Sequence, residues 1–264
     1  MADSNTANSN TAEPLFSIRN LSVVFSGKTR ALSALNLDIH AGQCLLLAGS
    51  NGSGKTILMR CVAGLLDPNE GDIFFRGRPL NQAGRALRRE LGLIFQDADA
   101  QILGETVEED IAFGPENLGF SKEEVKARTV SALEALGLTP KKEVPPRRLS
   151  GGEKRRLAVA AFLAMGCDTV IMDEPFANLD WPGVIQTLEI IRNLKQQGKT
   201  LIILTHELEK VLAFADRLVI LHQGIIRDDG TPLEVLDRLK DEWGVRDPRK
   251  SYLNVEDCSW LPKG

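Results

Sequence analysis

No run in this chain approaches the roughly 18 to 20 consecutive apolar residues that a membrane span needs, and the N-terminus lacks the basic-then-apolar plan of a secretory signal. The expectation is a cytoplasmic chain that reaches a membrane only through partners. Cysteine is scarce. The four residues Cys44, Cys61, Cys167 and Cys258 lie far apart, three of them in or beside apolar runs. That spacing suits small core residues in a reducing compartment and excludes a disulfide or zinc framework. Positive charge is not in excess either: the formal net charge is −4, which gives no electrostatic reason to expect nucleic acid. Beyond the near-repeat Ser4-Asn5-Thr6-Ala7 and Ser9-Asn10-Thr11-Ala12, the chain has no repeat or low-complexity segment.

What is present is a chain of 264 residues, 43% of them apolar, enough for one large packed domain or two small ones. Residues 1–14 are polar and have nothing to bury, so they read as a disordered tail. From Phe16 the pattern alternates to Phe25, turns at Ser26-Gly27-Lys28 and resumes over Ala34–Ile39, an antiparallel flap. Asp72–Arg76 and Leu91–Phe95 read as strands. Between about Asp97 and Gly166 the character is helical. Ser121 and Glu124 form a capping box that opens a helix ending near Gly137, with Val125, Val130, Leu133 and Leu136 on one apolar face. The last third returns to buried strands, Thr169–Met172 and Leu201–Thr205, alternating with a helix from Pro182 to Gln197. Continuous apolar strands between helices imply an α/β fold whose mostly parallel sheet is covered on both faces. A hairpin turning at Gln223-Gly224 and a helix capped by Thr231 close the readable pattern.

The most specific stretch is Gly49-Ser50-Asn51-Gly52-Ser53-Gly54-Lys55-Thr56, which fits GxxxxGK[ST]. It follows the apolar run Cys44–Ala48 and opens into a helical run from Ile57 to Leu66, the strand–loop–helix context of a phosphate-binding loop. Glycine lets the backbone curl until successive N–H groups point at phosphate oxygens, and the positive end of the next helix adds to that field. Lys55 is placed to reach the terminal phosphates and Thr56 to ligate Mg²⁺. Phe25, thirty positions before Lys55, can stack on an adenine ring or simply pack.

In an open parallel sheet, ligands bind outside the C-terminal ends of the strands. Gly49, Gln96, Asp173-Glu174 and His206 all follow apolar strands directly. Phosphoryl transfer to water needs charge neutralisation, a fixed cation and an oriented nucleophile. Asp173 is placed to order Mg²⁺, largely through water. Glu174, beside it but aimed differently, is the candidate general base. Gln96 offers an amide oxygen to Mg²⁺ or water, and His206 a hydrogen bond to the γ-phosphate. The cofactors expected are ATP and Mg²⁺.

Leu149-Ser150-Gly151-Gly152-Glu153 allows two readings. As structure, Ser150 caps a helix and Glu153 closes its box. As function, the two glycines make a second anion cradle. One nucleotide cannot occupy both loops of one subunit, so the second would serve another subunit's ATP in a head-to-tail dimer.

In motif order the chain resembles the nucleotide-binding subunits of ATP-binding cassette transporters over about Phe16 to Leu239. Gly49–Thr56 is similar to the family's Walker A, Gln96 to its Q-loop, Leu149–Glu153 to its signature and Met172-Asp173-Glu174 to its Walker B. Ala177-Asn178-Leu179-Asp180 is similar to the D-loop, and His206 to the switch histidine. The resemblance implies a P-loop NTPase core of RecA type, an N-terminal antiparallel β subdomain and an inserted α-helical subdomain. It also implies ATP-driven closure of a homodimer or heterodimer, passed on to integral membrane subunits. Glu153 stands where the family usually has Gln; ATPase activity is expected to survive this, because the γ-phosphate contacts come from Ser150 and backbone N–H groups.

A narrower resemblance, carried by Phe95–Gln101 and Thr106–Gly119, is to the ATPase subunits of energy-coupling-factor importers, which take up cobalt, nickel and vitamins. Ala98-Asp99-Ala100 departs from that group's Asn-Pro-Asp-like residues. The domain plan expected is a tail over 1–14, a cassette ATPase over 15–245 with its helical part at about 97–166, and an extension over 246–264. The setting expected is the cytoplasmic face of a membrane, with no nucleic acid. The alternatives are a soluble cassette ATPase of DNA repair or translation, which would carry a long coiled-coil insertion or tandem cassettes, and a small-molecule kinase, which would leave the signature and His206 without work.

Overall fold

The computed structural model describes residues 13–25, 29–97 and 99–250. Most of the proposed tail, the turn at 26–28, Ala98, Cys258 and the extension beyond 250 lie outside the described residues.

The chain opens with β1 (Phe16–Phe25) and β2 (Thr29–Ile39), followed by β3 (Cys44–Ala48) and α1 (Lys55–Val62). Next come β4 (Glu70–Phe75), β5 (Arg78–Pro79), α2 (Gly84–Glu90) and β6 (Leu91–Ile94). Three helices form the insertion: α3 (Val107–Asn117), α4 (Lys122–Ala135) and α5 (Gly151–Met165). The remainder runs β7 (Thr169–Asp173), α6 (Trp181–Gln196), β8 (Thr200–Thr205), α7 (Leu208–Val211), β9 (Arg217–His222), β10 (Ile225–Gly230) and α8 (Pro232–Arg238).

Two sheets result. The antiparallel sheet has the order β2-β1-β4-β5, and the six-stranded sheet β10-β9-β3-β8-β7-β6, parallel except for its edge strand β10. Alternation along the parallel strands sends successive side chains to opposite faces. Leu45, Leu47, Ile202, Leu204, Val219 and Leu221 join Phe16, Ile18 and α1 in the core under the antiparallel sheet. Leu46, Ala48, Val170, Met172, Ile203 and Ile220 join α5 and α6 in the second core. Burial on both faces is why these strands read as unbroken apolar runs. The fold is thus α/β, with the antiparallel subdomain and helical insertion expected above.

Two local readings are corrected. Val130 lies off the apolar face of α4 and is 40% exposed, while Val125, Thr129, Ala132 and Leu133 are buried. Spacings of four, seven and eight from Val125 keep a side chain on one face, whereas five rotates it away. The first helix is also shorter than its apolar run, because Gly64 takes φ 67° and ends it, leaving Leu65 exposed.

Cys44, Cys61 and Cys167 are free and buried. Burial pushes the thiols of Cys44 and Cys167 up to about 12 and that of Cys61 up to about 11. Since the thiolate is the reactive form, none of the three is expected to be alkylated in the native protein at pH 8. Peptide mapping after iodoacetamide treatment, with and without denaturant, checks this, and labelling of any of the three without denaturant would contradict it.

Candidate functional site

The phosphate loop leaves β3 at the middle of the sheet, between β8 and β9, and ends at the N-terminus of α1. Gly54 supplies the left-handed turn (φ 107°) from which α1 starts. A Cβ on Gly49 would stand 2.1 Å from the Leu221 carbonyl oxygen of β9, so only glycine lets the loop lie this close to its neighbour strand. Lys55 is 6% exposed and curls back over the loop, donating to the carbonyls of Gly49 (2.7 Å) and Ser50 (3.3 Å). Burial lowers its pKa, and the Glu174 carboxylate 3.6 Å away opposes that drop. Ser53 has a buried hydroxyl with no hydrogen-bond partner. A cradle with a buried cation at its centre and an unsatisfied hydroxyl in its wall is shaped for an anion.

β7 lies next to β8 and brings its C-terminal carboxylates to the same end. The Thr56 hydroxyl donates to Asp173 Oδ2 at 2.9 Å, across 117 positions of sequence. Burial raises the Asp173 pKa, and the Thr56 bond works against it. A carboxylate held unfavourably dry beside a hydroxyl oxygen is a hard donor pair that fits Mg²⁺. Among the described residues no group of three or more His, Cys, Asp or Glu is arranged to hold a metal alone. Thr56 and Asp173 would hold it, and it would supply charge neutralisation on the phosphate oxygens.

Glu174, also 6% exposed, directly follows the strand with φ 46°, a left-handed conformation that a non-glycine residue adopts at a cost. Its carboxylate meets His206 Nδ1 at 3.0 Å. His206 follows β8, and its side chain is nearly half exposed. Lys55, Thr56, Asp173, Glu174 and His206 are therefore one cluster. The Gln96 side chain is exposed at the end of β6, one strand out from β7. Phe25 ends β1 and is 42% exposed.

The other predicted residues are placed apart. Ser150 caps α5, its hydroxyl accepting from the Glu153 N–H at 3.3 Å while Glu153 Oε2 accepts from the Ser150 N–H at 2.9 Å. The Ser150 hydroxyl also bonds the Glu153 carboxylate, so reaching another subunit's phosphate requires its proton to turn away from the box. Glu153 is further paired with Lys141, with Arg156 3.9 Å away, and Lys141 holds its pKa below the usual range. Its charge is thus neutralised within the subunit. Among the described residues, no hydrogen bond or ion pair joins Ser150, Gly151, Gly152 or Glu153 to the Lys55–Asp173–Glu174 cluster. Asp180 caps α6 through the Gly183 N–H at 3.0 Å.

Two residues that shape these sites are not read from the sequence, Lys141 and Arg155. Arg155 carried a signal, a charged residue three, four and seven positions from Ala158, Val159 and Phe162 on the buried face of α5.

Comparison with known proteins shows the family. The model of the ABC transporter family matches residues 32–177, a span that runs from before the phosphate loop to beyond Glu174. A protein of Halobacterium salinarum, provisionally named an ABC transporter ATP-binding protein, is 42% identical over 234 residues, covering 89% of this chain and all of that one. The energy-coupling factor transporter ATP-binding protein of Methanocaldococcus jannaschii is 38% identical over 230 residues, 85% of this chain and 82% of that protein. Among solved structures, cbiO1 of Clostridium perfringens, described as part of the ABC transporter complex cbiONQ, superposes with a TM-score of 0.76 at 31% identity, covering 86% and 92% of the two chains. A family model that matches more than half of the chain, with relatives 38% and 42% identical over most of both lengths, means that the chain is an ATPase of the ABC transporter family.

Proposed function

We infer that the chain is the ATP-hydrolysing subunit of an energy-coupling-factor importer, working as a dimer with a second copy or a related ATPase on the cytoplasmic face of a membrane. The observation that carries this is the division of the site. Lys55, Thr56, Asp173, Glu174 and His206 form one half of a nucleotide pocket, while Ser150–Glu153 stand apart with their own charge already neutralised. A second chain completes each pocket. The phosphate loop and Lys55 bind the β- and γ-phosphates, Phe25 stacks on the adenine, and Thr56, Asp173 and Gln96 hold Mg²⁺. Glu174 takes a proton from the attacking water and His206 donates to the γ-phosphate. Ser150, Gly151 and Gly152 reach the partner's γ-phosphate, and Asp180 lies at the seam. The domain limits expected above, 15–245 with the helical part at 97–166, suit this assignment.

No helix among the described residues is long and apolar enough to cross a membrane, so transport requires membrane partners. The energy-coupling-factor name carried by the Methanocaldococcus relative, and the resemblance in residues 95–119, support an importer of a metal ion or vitamin. Leu103 and Phe113 are exposed apolar side chains on that segment, and Phe113 lines a cleft of about 700 Å³ with Arg88, Leu118 and Met165. A membrane subunit docks there. Capture of the tagged chain from membranes solubilised in mild detergent is expected to recover integral membrane proteins in fixed ratio. Recovery of ribosomes or DNA in their place would favour the repair or translation reading.

A further inference from the structure

α5 does more than present Ser150. Arg155 lies five residues beyond that cap, about 7 Å along the helix axis, and is 5% exposed in the second core. Buried guanidinium groups are ordinarily paired with carboxylates. Among the described residues Arg155 has no ion pair, and burial alone, with no acidic neighbour opposing it, lowers its pKa. It donates instead to two backbone carbonyls: Nη1 to Pro175, and Nη2 to Gln96 at 3.2 Å. Its Nε is buried without a partner.

The two carbonyls are informative. One belongs to the residue whose amide is assigned to Mg²⁺ or the attacking water, the other to the residue after the general base. Glu174 holds a left-handed backbone that needs outside support, and the clamp on Pro175 is adjacent to it. A planar fork fixes its acceptors relative to each other, and a dry guanidinium cannot exchange them for water without a large desolvation cost.

We propose that Arg155 is a positioning residue that carries engagement of the signature loop with the partner's nucleotide to Gln96 and Glu174, which act on the subunit's own nucleotide. This rests on the shared-pocket reading above. The N-terminus of α5 and Arg155 move as one rigid element, so seating Ser150 on a phosphate shifts the clamp, and the clamp sets both reacting groups. Closure at one pocket thereby arms the other.

The test uses the purified full-length chain with ATP and Mg²⁺. Arg155→Met keeps the stem and removes the fork; kcat is expected to fall roughly 10-fold to 100-fold while KM for ATP changes less than about 3-fold, since groups are displaced and not lost. Combined with Glu174→Gln, it is expected to dimerise with ATP as Glu174→Gln alone does. In a Gln96→Ala background its logarithmic cost is expected to drop below half, because one group it positions is gone; a merely structural role would give the same cost in both backgrounds. Should Arg155→Met fail to fold, Arg155→Gln, which reaches one carbonyl, carries the same measurements. Unchanged kcat in a folded variant, equal cost in the two backgrounds, or loss of dimerisation would each overturn the proposal. If Glu174→Gln with intact Arg155 stays monomeric in ATP, the shared pocket itself is wrong, a result distinct from all three.

Discussion

Glu174→Gln is expected to lower ATP turnover by about 100-fold or more while leaving ATP binding intact, the scale set by loss of a positioned general base. The amide has the shape of the carboxylate, which is 6% exposed and meets His206 at 3.0 Å, so it keeps a polar group at that position. What it lacks is basicity. With hydrolysis blocked, ATP and Mg²⁺ are expected to hold two chains together, read as a shift from monomer to dimer mass in light scattering after gel filtration. Normal turnover would mean that Glu174 is not the base, and a persistent monomer would mean that the two loops do not share a nucleotide.

Lys55→Met is expected to weaken ATP binding by about 100-fold, because a charge-assisted hydrogen bond is worth about 1.5 to 3 kcal/mol. Lys55 is buried, and its ammonium donates to the Gly49 and Ser50 carbonyls of its own loop, within the cradle assigned to the phosphates. The consequence is measurable without hydrolysis. At an ATP concentration 100 times the parent Kd, ligand linkage adds about 2.7 kcal/mol of stability to the parent and, after a 100-fold loss of affinity, about 0.4 kcal/mol to the variant. An ATP-induced rise in Tm that equals the parent's would show that Lys55 does not meet the phosphates.

Much of this site was legible because its residues sit where sheet physics puts ligands. Gly49, Gln96, Asp173, Glu174 and His206 stand where apolar strands end, and all four of those strands, β3, β6, β7 and β8, lie in the parallel part of the six-stranded sheet. Strand order was not legible, since apolar runs of equal quality do not state their neighbours. α2 was missed because its seven residues, mostly polar, bury only Leu87 and so leave no periodic stripe. The apolar side chain of Val130 says nothing of its direction, and a spacing of five from Val125 turns it to water. Arg155 was passed over because its partners are backbone carbonyls from two distant segments, and carbonyls have no letter in a sequence.

The strand that leads into the phosphate loop has further meaning for how the chain is made. β3 is flanked by β8 and β9, with Cys44 opposite Leu201 and Leu45 opposite Arg217, so its partners leave the ribosome more than 150 residues after it does. A nascent chain that has already exposed its entire glycine loop still has no sheet to hold it and no wall at Leu221 to shape it. The grip on phosphate is therefore among the last features of the fold to be completed during synthesis, although its loop is among the first parts made.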